Sequence, residues 1–194
     1  SSSFKITMEE PASNQAFFNS RLVGLMFLHN KGKFFGTLSL FAESEAMKQS
    51  TDKLGNEGYG MMSRLVYRPL RDPGKILHIG LSGAFESPRY SAKPEDNHRS
   101  YALKSEFPTR IARVAAQQAD ITEAKMLYKF TPEVMAAIGR LAIESQYFFV
   151  TVNREKDLPR YQASGAYALL RGLVKGNGYV YSDGDSGIRT PAPG

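Results

Sequence analysis

The sequence contains no cysteine, no tryptophan and only three histidines. Without cysteine there are no disulfides, no thiolate zinc sites and no thiol nucleophile, and the compartment stays open. No run of about 18 apolar residues occurs, which excludes a membrane-spanning helix. It does not exclude a membrane barrel, whose strands need only about 9–11 residues with every second one apolar. The first residues, SSSFKITMEE, lack a signal-peptide pattern. Also missing are GxSxG, HExxH, a Walker loop and CxxC. His29, His78 and His98 lie in separate segments, and a metal site needs about three or four convergent ligands. Each reads as a hydrogen-bonded or solvated histidine. SDGDSG (182–187) has hard oxygen ligands but no closing Glu, so it reads as a turn. Glu9 and Glu10 are adjacent and face apart in an extended chain. No enzyme, no metal and no cofactor is expected.

Charge is unbalanced: 25 Lys plus Arg stand against 19 Asp plus Glu, a net +6 over 194 residues. Nucleic acid, an anionic membrane and small anions are the partners such a balance suits. The densest basic region, Arg99 to Arg113, matches no nucleic-acid motif, so nucleic acid is not an expected partner. Hydrophobic residues make up 42%, enough for one substantial folded domain.

What the chain does have is alternation. AKMLYKFTPEVMA (124–136) sets Ala124, Met126, Tyr128, Phe130, Pro132 and Val134 on one face and Lys125, Lys129 and Glu133 on the other. Period two predicts a strand. Similar segments are 34–43, 59–68, 76–86 and 141–153; 21–30 and 161–173 have strand length and composition with ambiguous faces. Tyr59, Met61, Leu65 and Tyr67 oppose Arg64 and Arg68; Leu77, Ile79, Leu81 and Phe85 oppose His78, Ser82 and Glu86. Seven strands are predicted, several longer than the usual five or six residues (about 5–6) of globular proteins.

The connections alternate too. NKGK (30–33), LRDPGK (70–75) and IGR (138–140) are short turns. Between them lie the longer joins 44–58, 87–123 and 154–160. Short turns at one end and long loops at the other are the signature of an outer-membrane barrel. The join 87–123 is too long to be an idle connector and is expected to fold inward and narrow a pore. Residues 1–20 and 176–194 have no strand partner, and seven is odd where bacterial barrels are even. The whole of 1–194 therefore reads as one partial barrel domain, interior to a larger one.

The residue types that could carry chemistry are the basic ones. Lys125 and Lys129 share a face about 13 Å apart, Arg64 comes from another strand, and Arg99, Lys104, Arg110 and Arg113 lie in the long join. Rings of Lys and Arg select anions: Lys as a point charge, Arg as a bidentate phosphate ligand. These seven are the candidate anion-pathway residues.

Three stretches resemble the phosphate-selective porin O and P family of the Gram-negative outer membrane. NEGYGMMSRLVYRPLRDPGKILHIGLSGAF (56–85) matches at Gly58, Arg64, Tyr67, Pro69, Gly74, Leu77, His78 and Gly80. FTPEVMAAIGRLAIESQYF (130–148) matches at Glu133, Gly139 and Tyr147, and SGAYALLRGLVKGNGYVY (164–181) follows the pattern Gly-x-Tyr, apolar run, Gly, Tyr. It departs at Gly176-Asn177, where many relatives have Gly-Glu, and across 168–175. The resemblance implies an all-β, antiparallel transmembrane β-barrel of sixteen strands, seven of them supplied here (21–173). It also implies a homotrimer in the bacterial cell outer membrane, in contact with its lipid and conducting small anions such as phosphate. On this analogy 1–20 is the end of an inward-folded loop, 87–123 a second such loop, and 176–194 a long turn. Two other readings fit the residues: a soluble β-barrel or sandwich that binds a ligand, and a structural outer-membrane protein without transport.

Overall fold

The computed structural model describes residues 22–43, 58–87, 100–106, 115–155, 157–184 and 186–189. Seven strands form one antiparallel sheet: β1 (Leu22–Lys31), β2 (Phe34–Glu43), β3 (Tyr59–Asp72), β4 (Lys75–Glu86), β7 (Ala124–Ile138), β8 (Leu141–Arg154) and β9 (Tyr161–Gly172). They follow one another in the order β1-β2-β3-β4-β7-β8-β9. Two hairpins stand apart from it: β5 (Ser100–Glu106) with β6 (Ala115–Thr122), and β10 (Val180–Ser182) with β11 (Gly187–Arg189). The described chain is all-β, and the sheet is not closed, since β1 and β9 do not pair with each other. It has the form of part of a barrel wall.

The alternation in the sequence sets the faces. Paired residues in an antiparallel ladder point the same way, and Leu65, Leu81, Pro132 and, on the next turns of the ladder, Val134 and Ile143 fall on one side. That side is apolar and bare: Leu65 is 62% exposed, and Phe34, Leu38, Ile79, Tyr128, Phe130, Leu141 and Leu170 are exposed with it. A one-residue register slip would turn every one of these side chains to the opposite face, so the pattern pins the register as well.

The opposite face is covered. At the end of the long joins, Tyr101, Leu103 and Ile121 of the β5–β6 hairpin pack on Leu127, Phe148, Val150 and Val152. The Tyr101 hydroxyl donates to the Glu86 carbonyl at 2.8 Å. Burying a Leu or Phe fully stabilises by about 1.5–3 kcal/mol, which holds this hairpin to the sheet. At the end of the tight turns, Tyr179 and Ile188 pack on Ile76, Met135, Ala137 and Ala142.

The turns themselves make the second attachment possible. Gly74 and Gly139 have φ of 71° and 56°, a left-handed conformation that glycine adopts at little cost. Gly139 N donates to Gly74 O at 2.7 Å, and the Tyr179 backbone bridges both turns, N to Gly139 O at 3.2 Å and O from Gly74 N at 2.8 Å. The β3–β4 register shifts between Tyr67 and Leu70. Pro69 lies in this bulge, where no ladder donor is needed, and Arg68 beside it is completely buried.

Candidate functional site

Four neighbouring strands send polar side chains to one place on the covered face. Arg64 comes from β3, His78 from β4, Glu133 from β7 and Gln146 from β8. Gly80 faces Glu133, and Glu133 faces Gln146, across the ladders. The Glu133 carboxylate is the centre. Its Oε1 accepts from Arg64 Nε at 2.8 Å and from His78 Nε2 at 3.1 Å, and its Oε2 accepts from Gln146 Nε2 at 2.8 Å. Arg64 Nη2 approaches the same Oε1 to 2.6 Å. A carboxylate held by a guanidinium in this way makes a charge-assisted, roughly doubled hydrogen bond.

The second ring nitrogen of His78 meets the Tyr181 hydroxyl at 2.7 Å. Burial pushes the Tyr181 phenol up, with Ser186 and Arg68 pulling against it, so the hydroxyl keeps its proton. In the neutral imidazole Nε2–H then donates to Glu133, and Nδ1 accepts from Tyr181. This relay joins the β10–β11 hairpin to the sheet. Arg64 extends the same link by donating from Nη2 to Ser186 O at 3.4 Å.

Two further ion pairs lie on this face. Lys129 Nζ is 2.8 Å from Glu86 Oε1. Arg171 Nη2 donates to Glu144 Oε2 at 2.5 Å, and Tyr167 donates to Oε1 of the same carboxylate at 2.8 Å. Arg68 is structural: its guanidinium donates to Asn30 Oδ1, to the carbonyls of Gly32, Phe34 and Asp183, and to Ser186 Oγ. It ties the β1–β2 turn to the β10–β11 hairpin.

Of the seven sequence-derived candidates, Arg64 and Lys129 reach the covered face. Both have a carboxylate partner there. Lys125 is exposed at the β7 bulge, where the pairing with β8 shifts between Ala124 and Met126. Lys104 lies in β5 opposite Gln118. Arg99, Arg110 and Arg113 fall outside the described residues. Sequence reasoning placed Glu133, His78 and Glu86 on polar faces without joining them to the cations. The signal was there in outline: Glu86, Glu133 and Glu144 recur on the polar faces of strands that neighbour one another. It becomes readable only with the strand order known.

Among the described residues no three metal-ligating side chains cluster. No described helix is long and apolar enough to span a membrane, which says nothing of strands. The face gathers ion pairs between neighbouring strands. A family model described as phosphate-selective porin O and P matches residues 1–193. A comparison with curated proteins gives no match.

Proposed function

Because the chain belongs to the phosphate-selective porin O and P family, a family of outer-membrane channels, we propose that its covered face lines a water-filled path for small anions such as phosphate. The bare face then meets outer-membrane lipid. The observation that carries this reading is the contrast between the two faces of the same seven strands. One presents mostly apolar side chains to the outside, interrupted by His29, Ser63, Ser145 and Ser164; the other gathers three ion pairs between cationic and acidic residues.

The preference for anions rests on two of the three pairs, Arg64–Glu133 and Lys129–Glu86; in the third the order is reversed, Arg171 being 7% and Glu144 20% exposed. The Arg64 side chain is 27% exposed and its partner Glu133 4%. Lys129 and Glu86 stand in the same relation, at 15% and 7%. In both, the carboxylate lies at the wall and the cation toward the open side, so a passing ion meets positive charge first. Such sites bind weakly enough to release their ion, as conduction requires.

The bare face carries aromatic side chains toward both of its ends. Tyr59 and Tyr67 of β3 both lie on it, in register with Ala42 and Phe34, and the eight residues between them span about 26 Å along the strand, or about 20 Å along the membrane normal at a tilt of about 40°. Aromatic side chains at both rims of an apolar band about 25 Å tall mark the two membrane interfaces. The tight turns then face the periplasm, the long joins face outward, further strands beyond β1 and β9 complete a sixteen-stranded wall, and the porin works as a homotrimer. Lys125, Lys104, Arg99, Arg110 and Arg113 are further candidates for the same anion path.

Planar-bilayer recording of the full-length protein tests the reading. A reversal potential on the anion side in a KCl gradient, with conductance blocked by added phosphate, is the expected result. A cation-selective pore, or one that phosphate does not block, overturns the anion path.

A further inference from the structure

The net positive charge is not spread evenly over the described residues. At the end of the tight turns Lys31, Lys33, Lys75, Arg140 and Lys175 are all exposed. The carboxylates there are Asp72 and Asp183, and Asp183 is held by Arg71 at 2.7 Å. At the other end Lys125, Arg154 and Arg160 are balanced by Asp120, Glu123, Glu155 and Asp157. Among the described residues the excess of exposed cations therefore forms a collar around one rim.

The collar adjoins the bare apolar face directly. Lys75 pairs with Ile138 and Lys31 with Phe34 across their ladders, so both ammonium stems start on that face. Ile138 is 81% exposed, Val174 beside Lys175 is 98% exposed, and Leu141 and Leu170 are exposed between them. Apolar side chains that need acyl chains thus end where ammonium groups begin. Lys stems lie along apolar surface while their heads reach the polar layer.

We propose that this rim is a binding surface for anionic phospholipids, with the phosphates of phosphatidylglycerol-type headgroups met at separate points along it, by Lys31 and Lys33, by Lys75 and by Lys175, and with acyl chains laid on Ile138, Leu141, Leu170 and Val174. The occupant is a lipid and not free phosphate, because the cations are continuous with a surface that only acyl chains cover. The inference rests on the porin reading, which puts the bare face in a bilayer. The collar tethers the tight-turn end to one leaflet and fixes the depth at which the barrel sits.

The test uses the full-length porin reconstituted in phosphatidylcholine vesicles containing phosphatidylglycerol, with the lipid retained by the protein measured by mass spectrometry. The native protein is expected to retain phosphatidylglycerol above its bulk fraction. Replacing Lys31, Lys33, Lys75 and Lys175 by Gln should lower that enrichment to the bulk level at low salt. Lys125→Gln with Arg160→Gln, at the opposite rim, should leave it unchanged. Equal enrichment in the native protein and the four-fold variant overturns the proposal, as does release of the lipid by inorganic phosphate at pore-blocking levels. Single-channel conductance separates the two readings. A conducting native protein without enrichment sinks the lipid site alone, whereas a protein that does not enter the vesicles and carries no current sinks both.

Discussion

The side chain of Glu133 crosses directly over Gly80. A β-carbon on Gly80 would lie 2.5 Å from Glu133 Cγ and 2.8 Å from its Cδ, closer than any real contact. The missing side chain lets a carboxylate from β7 pass over β4 to reach Arg64 on β3. Gly80→Ala should therefore push Glu133 out of the cluster and lower stability by about 1–3 kcal/mol through overpacking. Urea unfolding of the full-length protein in lipid vesicles measures this; a midpoint equal to that of the native protein would mean Glu133 has room to move.

Neutralising Glu133 separates charge from shape. Glu133→Gln keeps the size but removes the acceptor charge that offsets Arg64. Hydrogen bonds to a charged group are worth about 1.5–3 kcal/mol, and a loss in that range is expected. Arg64, freed of its counter-charge, should move the reversal potential further toward anions. Movement toward cations would place the cluster away from the ion path.

Lys129 and Glu86 make a second, opposite pair of changes. Lys129→Glu should reduce anion preference, since two carboxylates then face each other on neighbouring strands. Glu86→Gln should increase it by leaving the ammonium uncompensated. Reversal potentials in a KCl gradient report both. Shifts of the same sign in the two variants would show that loss of folding, not charge, controls the readout.

On the bare face the expected effect is one of depth. Leu81, paired with Leu65 and Pro132 near the middle of the strands, is the position where Leu81→Arg should destabilise the barrel by about 2–4 kcal/mol. Tyr128→Arg, nearer the loop end of β7, should cost less. Refolding yields in vesicles distinguish them, and an equal, negligible cost at both sites would put this face in water.

Arg68 is buried and joins three pieces of chain. Arg68→Lys loses the planar fork that reaches Asn30, the turn carbonyls and the β10–β11 hairpin together. Each buried acceptor left without its donor costs about 1–3 kcal/mol. Hydrogen exchange at Tyr181 and Ile188 should quicken while the middle of β4 stays protected. Uniform quickening across the sheet would show that Arg68 supports the whole fold instead of the hairpin.

The main sheet was legible because its signal is local. Five period-two segments and two of strand length and composition fall on the seven strands of the sheet; 34–43 matches β2 end for end, and 76–86 begins one residue inside β4. The segments 21–30 and 161–173, ambiguous in their faces, take them from their neighbours: Leu25 and Phe27 align with Leu40 and Leu38, and Leu170 with Ile143. The two hairpins were not legible. AAQQADIT in β6 alternates weakly, and β10 and β11 have three residues each. Their places depend on what they pack against, not on their own pattern.

The candidate site divides in the same way. That Arg64, Lys129 and Glu133 share the polar side of their strands follows from period two alone, because a strand turns alternate side chains to opposite faces. The sequence by itself also determined the bare apolar face, the tight turns and the excess of positive charge. Which cation meets which carboxylate was decided only by the tertiary structure. Arg64 and Glu133 are 69 residues apart, and ladder order, the gap at Gly80 and the bulge at Pro69 bring distant residues within hydrogen-bond reach. The same holds for the cationic collar: Lys31, Lys75 and Lys175 are scattered along the chain, and an up-and-down sheet gathers them because every tight turn falls at one end.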